Sequence, residues 1–234
     1  MIKLGSLALD GTPRIAVPFR DSHDDAFIRE AIQSGADIAE LRIDEFKDLA
    51  AAHVMEQTRR YDPLPVLATI RSAAEGGAWR GAEQERLSLF EAVIPLVDGV
   101  DIELSSVAIR DRVVRAAGDS GKCVIISYHN FERRPSTATL QDIARQAKEA
   151  AADIVKIAVM CHSMDDARAL ARFTLDHSDM GVVVIGMGSA GTITRLLFPA
   201  LGSLFTFAAH GQETAPGQLP LAEMACLFRA IYRA

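Results

Sequence analysis

The 234-residue chain carries 25 Lys+Arg against 31 Asp+Glu, a formal net charge of −6. A hydrophobic share of 49% with 24% charged residues is that of a globular protein, which excludes disordered, collagenous and disulfide-scaffold classes. The acidic balance, with scattered basic residues, argues against nucleic acid as the main partner.

Residues 1–12 are expected to form a small hairpin, with Asp10-Gly11 near a turn, closing the N-terminal end of the fold. Short apolar, β-branched runs then recur: Arg14–Phe19, Asp37–Ile43, Pro65–Arg71, Val100–Leu104, Cys123–Ser127, Ile154–Val159, Val182–Gly186 and Leu204–Ala208. Helical patterns alternate with them, for example Asp24–Ser34, Glu83–Leu96, Thr139–Ala151, Met164–Asp176 and Leu219–Arg233. Ser22 and Asp24 mark the start of the first helix, and Ser163 with Asp165 and Asp166 the start of a later one. Eight strands each followed by a helix is the pattern of an α/β (β/α)8 TIM barrel; a doubly wound open sheet is the alternative. No linker or composition shift divides the chain, so residues 1–234 are read as one domain. A barrel places its chemistry at the C-terminal strand ends and in the loops after them.

Several residues stand out at those positions. In the second strand Glu40, Arg42 and Asp44 alternate with Ala39, Leu41 and Ile43, which puts the charges on one face by the period of 2. The apolar set faces the helices, so the charged set faces the interior, either as a structural network or as a polar pocket floor; the pocket is favoured. The third strand closes on Arg71, with Glu75 and Gly76-Gly77 in the loop behind it. Asp101 and Glu103 share a face of the fourth, where either could anchor an arginine across the interior. His129 follows the fifth strand at the mouth. The chain has five lysines, Lys3, Lys47, Lys122, Lys148 and Lys156, and only Lys156 lies inside an apolar β-branched strand. Such a lysine snorkels or pairs with a carboxylate, or it serves as a nucleophile whose neutral form is favoured by desolvation and neighbouring cations.

The seventh strand runs into Gly186-Met-Gly-Ser-Ala-Gly191, a GxGxxG spelling in the wrong place for a dinucleotide fingerprint, since no acid follows until Glu213. An anion site at the next helix start is the sharper reading, with Arg195 in its first turn. The polar loop His210–Gln218 reads as a connection or as a lid over substrate. Cys123, Cys161 and Cys226 show no CxxC pair or zinc spacing and read as reduced, buried thiols of a cytosolic protein. The N-terminus lacks the apolar run of a signal peptide, and the uncharged stretch Leu196–Ala209, interrupted by Pro199 and Gly202, is too short to span a membrane.

Taken together, the chain resembles the type I 3-dehydroquinate dehydratase family. The resemblance rests on Glu40-Leu-Arg42-Ile-Asp44, Arg71-Ser-Ala-Ala-Glu75-Gly-Gly, Ser127-Tyr-His129-Asn-Phe131, Asp153-Ile-Val-Lys156-Ile-Ala, Met187-Gly-Ser-Ala-Gly-Thr-Ile-Thr-Arg195 and Ala215-Pro-Gly-Gln218. Thr194 and Thr214 stand where the family usually has serine, and Pro18 where it often has serine. The resemblance implies the loss of water from 3-dehydroquinate, a shikimate-pathway step, through a Schiff base on Lys156. It implies His129 as general base and acid, with Glu75 orienting it. Arg195 and Gln218 would take the substrate carboxylate, and Glu40, Arg42 and Arg71 the ring hydroxyls. Met187 and Phe131 would wall the pocket and Thr214 would add a lid contact. No metal and no organic cofactor are implied; a cytoplasmic homodimer is. No shikimate dehydrogenase domain is expected to follow the eighth helix. A class I aldolase-type barrel shares the strand-six lysine, and a non-catalytic barrel binding protein is the further alternative. On this reading Arg42, Arg71, Arg195 and Lys156 converge at one mouth, partly offset by Glu40 and Glu75, so an acidic molecule holds a locally cationic site.

Overall fold

The computed structural model describes residues 1–9 and 11–232. A hairpin of β1 (Lys3–Leu4) and β2 (Leu7–Ala8) precedes eight parallel strands. These are β3 (Arg14–Phe19), β4 (Ile38–Arg42), β5 (Val66–Thr69), β6 (Gly99–Glu103), β7 (Cys123–Asn130), β8 (Ile154–Met160), β9 (Val182–Met187) and β10 (Phe205–Phe207). Each is followed by one of the helices α1 (Asp25–Ser34), α2 (Ala51–Gln57), α3 (Glu83–Val93), α4 (Arg110–Asp119), α5 (Thr137–Glu149), α6 (Met164–Asp176), α7 (Thr192–Leu197) and α8 (Leu221–Tyr232). Neighbours in sequence are neighbours in space from β3 to β9, and β10 pairs with β3. The ring closes through a parallel bridge between Val182 and Ser203, a 2.8 Å bond from the Leu204 N–H to the Val182 carbonyl, and a 3.1 Å bond from the Val184 N–H to Ser203 Oγ. The (β/α)8 barrel expected from the strand–helix alternation is therefore the fold, and the open sheet is not.

Alternation along each strand sorts the side chains into two cores. Ala39, Leu41, Val155, Ile157 and Val159 point outward and pack with the helices. Ile38, Leu67, Ile125, Ile154, Val183 and Phe205 point inward and fill the lower barrel, joined by Leu4 and Leu9. The N-terminal segment thus plugs the barrel bottom as expected. Two residues further along the same inward faces, the apolar layer gives way to a polar one: Glu40, Thr69, Ser127 and Lys156, all buried. That switch from apolar floor to polar mouth is what makes the upper interior a site.

Several boundaries differ from the sequence reading. The hairpin turns at Gly5-Ser6 rather than near Asp10-Gly11; Asp10 lies outside the described residues. Strand β4 stops at Arg42, and Ile43–Glu45 form a 3-10 turn, so Asp44 leaves the alternating face. Strand β7 runs on to Asn130, which places His129 within the strand. Helix α5 begins at Thr137 because Ser136 caps it, accepting the Thr139 N–H at 3.1 Å. Helix α7 has only 6 residues and carries Arg195 in its last turn, not its first. Helix α8 spans Leu221–Tyr232; Arg233, in the expected pattern, lies outside the described residues. Asp24, and not Ser22, caps α1 by accepting the Phe27 N–H at 2.8 Å, and Ser163 and Asp166 cap each other's backbone as expected.

Candidate active site

A cavity of about 520 Å³, counting its open mouth, lies at the C-terminal end of the barrel. The structure brings all eleven sequence-derived site residues to its wall: Glu40, Arg42, Arg71, Glu75, His129, Phe131, Lys156, Met187, Arg195, Thr214 and Gln218. Sequence reasoning missed the apolar lining of Ala158, Ile185, Phe207 and Ala215. The inward parity of Ala158, Ile185 and Phe207 was readable, but nothing in an apolar residue distinguishes a pocket wall from a packed core; Ala215 lies in the loop after β10, where parity does not apply.

Lys156 is the third residue of β8, whose parity aims it inward. Its ammonium lies 2.8 Å from Asp101 Oδ2, 3.8 Å from Glu40 Oε1 and 4.3 Å from the centre of the Phe207 ring. Glu40 in turn accepts the Thr69 hydroxyl at 2.9 Å. The nearest charges to Nζ are thus carboxylates, not the cations that the sequence reading placed around it. Asp101 is fully buried between Lys156 and Arg71. Burial opposes its charge, but the Arg71 and Lys156 charges outweigh that and hold its carboxyl far below the usual range.

Arg71 follows β5 and crosses the interior to Asp101 at 2.7 Å, Glu103 at 3.0 Å and Ser127 Oγ at 2.8 Å. Both acids that the alternation of β6 set on one face anchor this arginine. Glu103 also accepts Arg86 Nη1 at 3.0 Å, from a fully buried side chain on α3 that sequence reading did not single out. Arg42 is held by Asp44 and Glu45, each within 3 Å of Nη2. Asp44 also accepts the Ala78 N–H at 2.9 Å, and so ties Arg42 to the glycine loop after β5. Its part is to position Arg42 from outside the cavity, a correction to its expected place on the pocket floor.

His129 and Glu75 meet as expected. Glu75 Oε2 lies 3.0 Å from His129 Nδ1 and accepts the His129 backbone N–H at 2.9 Å. With Nδ1 committed to a carboxylate, Nε2 is the ring nitrogen left to act as a base. Burial, then the Arg71 and Lys156 charges, hold the imidazole pKa well below its ordinary value, so the ring is neutral at pH 7. Burial pushes the Glu75 pKa up, opposed by a bond from Ser105 and by Arg71. The loop that carries Glu75 depends on Gly77, where an added Cβ would lie 2.1 Å from the Arg71 carbonyl oxygen.

Arg195 is 1% exposed, and its guanidinium reaches no carboxylate among the described ion pairs. It donates instead to backbone carbonyls: Gly217 at 3.0 Å, Phe207 at 3.3 Å and Pro216 at 3.3 Å. Burial lowers its pKa to about 10, and the charge of Glu213 in the loop after β10 opposes this only in part. The His210–Gln218 loop is pinned from within, because Gln218 Oε1 accepts the Thr214 N–H at 2.8 Å and its Nε2 donates to Thr214 Oγ1 at 3.1 Å. Thr194 keeps its hydroxyl at work, accepting the Gly186 N–H at 2.8 Å and donating to the Gly191 carbonyl at 2.7 Å. The GxGxxG spelling here is close packing: a Cβ on Gly191 would lie 2.4 Å from the Gly186 carbonyl carbon.

Barrel and cavity define a class of (β/α)8 proteins in which a buried lysine, an imidazole–carboxylate pair and a buried arginine bonded to backbone carbonyls share one mouth. Within that class, the chain belongs to the type I 3-dehydroquinase family, whose sequence profile matches residues 15–234. It is similar to the 3-dehydroquinate dehydratase of Methanococcoides burtonii, 37% identical over 228 residues, which is 96% of this chain and 97% of that one. The crystal structure of the 3-dehydroquinate dehydratase from Aquifex aeolicus matches with a TM-score of 0.85 at 36% identity, covering 94% of this chain and 100% of that one. The type I 3-dehydroquinate dehydratase from Clostridium difficile, in a crystal structure with covalently modified comenic acid, matches with a TM-score of 0.90 at 27% identity, covering 99% of this chain and 97% of that one.

Proposed function

We propose that this protein is a hydro-lyase that removes water from 3-dehydroquinate to give 3-dehydroshikimate by syn elimination through an imine on Lys156, a step of the shikimate pathway. The observation that carries the reading is the placement of Lys156 Nζ in one cavity with the His129–Glu75 pair and the guanidinium of Arg195, which makes no ion pair among the described residues. Lys156 gives one ammonium proton to His129 and attacks the C3 ketone as the free amine; His129 returns that proton to the carbinolamine hydroxyl, which leaves as water and yields the iminium. Asp101, held ionised, balances the positive charge of the iminium as it balanced the ammonium. The iminium draws electrons from the adjacent C2–H bond, and neutral His129 takes that proton. The imidazolium then gives a proton to the C1 hydroxyl, which departs as water while the enamine electrons form the new double bond. Hydrolysis of the remaining imine frees product and Lys156. Glu75 fixes the tautomer of His129 throughout.

Substrate binding follows from charge. Arg195 offers a planar fork to the carboxylate, with Gln218 beside it. Arg42 and Arg71 retain N–H groups beyond those spent on Asp44, Glu45, Asp101, Glu103 and Ser127, and with Glu40 they suit ring hydroxyls. Met187 and Phe131 supply apolar walls, and Thr214 holds the lid.

The chemistry needs neither a metal nor an organic cofactor, so a chelator leaves the rate unchanged. We read residues 1–234 as one catalytic domain and the working form as a homodimer. Cys123 and Cys161 are buried as expected and Cys226 is exposed instead; all three are free thiols and suit the reducing cytosol, where we place the protein. The test is direct. Purified protein mixed with 3-dehydroquinate develops the ultraviolet absorbance of the conjugated enone carboxylate. No increase with folded protein would overturn the reading.

A further inference from the structure

We propose that Ser105 is a positioning residue of this reaction: its hydroxyl pins the Glu75 carboxylate so that Oε2 is held against His129. The proposal rests on the dehydratase reading above. Ser105 lies just beyond β6, in the loop to α4, and its hydroxyl donates to Glu75 Oε1 at 2.5 Å. The other oxygen, Oε2, receives both the ring Nδ1 and the backbone N–H of His129. The two carboxylate oxygens therefore face different strands, one toward the end of β6 and one toward β7.

This division matters because the terminal torsion of a glutamate is soft. A carboxylate held through one oxygen can swing about that torsion and let its histidine partner turn. A second bond on the other oxygen fixes the carboxylate plane. The Ser105 hydroxyl is itself well placed to do so. The Leu104 N–H is bonded to the Ser127 carbonyl at 2.8 Å, and the neighbouring Ser106 hydroxyl donates to Glu103 Oε2 at 2.6 Å. The loop is thus clamped on both sides of the residue.

The charged groups around the pair are Arg71 at the end of β5, Glu103 on β6 and, toward His129, Lys156, Asp101 and Arg42. Arg71 favours the Glu75 carboxylate and Glu103 opposes it, and the Ser105 bond adds to the favourable side. Loss of that bond makes Glu75 easier to protonate. The Ser105 residue is exposed, so its truncation leaves the core untouched.

The test compares Ser105→Ala and Ser105→Thr with the wild type in kcat, KM, pH dependence and thermal stability. In Ser105→Ala, kcat falls about 10-fold with little change in KM, the scale of a modest misalignment of a catalytic group. Its acid limb moves to higher pH, Tm stays in place, and borohydride still traps the substrate on the protein. Ser105→Thr, which keeps the hydroxyl, recovers most of kcat. A Ser105→Ala enzyme with wild-type kcat and pH profile would overturn the proposal, as would a loss that Ser105→Thr shares in full. A wild type without turnover would instead overturn the dehydratase reading on which the proposal stands.

Discussion

His129 shows how one residue's surroundings set its chemistry. Burial and the charges of Arg71 and Lys156 hold its pKa well below 6.5. The ring therefore stays a competent base as pH drops through the ordinary histidine range. The expected outcome is a kcat/KM that holds below pH 6.5 and fails only at lower pH, where His129 or its partner Glu75 takes up a proton, read from a pH–rate profile. An acid limb at 6.5 or above would contradict it. Stability has the matching sign: the unfolded histidine takes up a proton near 6.5 while the folded one does not, so its contribution is lost as pH falls below 6.5. The residue Lys156 was legible in sequence because a lysine inside a β-branched strand has few bland explanations. Its partner was not. Asp101 was readable as an anchor for an arginine, but its contact with Lys156 joins β6 to β8 over the intervening β7, and that distance exists only once the three strands pair in register.

Among the secondary-structure elements, alternation was the strong signal. It put Glu40 and Arg42 inward and Ala39 and Leu41 outward, as the two cores confirm. Alternation says nothing of where a strand stops. Strand β4 ends at Arg42, and the 3-10 turn after it removes Asp44 from the inward face and hands it to Arg42 and the Ala78 N–H. The hairpin turn was misread for a similar reason: Asp10-Gly11 and Gly5-Ser6 are both plausible turn pairs, and packing of Leu4 and Leu9 into the barrel floor decides between them. The loop after β5 carries the sharpest prediction at this scale. Gly77→Ala would set a Cβ 2.1 Å from the Arg71 carbonyl oxygen, so the loop must move and take Glu75 with it. Activity should fall by at least about 10-fold, with about 1–3 kcal/mol lost in denaturant unfolding, the usual cost of forced overpacking. An enzyme unchanged in both would show that the close approach is not needed.

At the scale of the whole molecule, the net charge of −6 and the binding of an anion are reconciled by pairing rather than by a cationic mouth. Three of the four converging cations are matched: Arg42 by Asp44 and Glu45, Arg71 by Asp101 and Glu103, Lys156 by Asp101 and Glu40. Arg195 is buried and donates to backbone carbonyls, with no direct ion pair among the described residues and Glu213 acting on it only through its charge. One guanidinium without an ion pair in a polar barrel selects one carboxylate. Arg195→Ala should accordingly raise KM about 100-fold, equivalent to about 2.8 kcal/mol, with a much smaller relative change in kcat. An unchanged KM would remove Arg195 from substrate binding. The central claim, however, is a covalent bond, and one measurement reaches it most directly. Borohydride added to the protein with 3-dehydroquinate should abolish activity and add the mass of the reduced substrate adduct to the peptide that contains Lys156, while Lys156→Ala gains no mass. Turnover with the adduct on another residue, or with no adduct at all, would contradict the account.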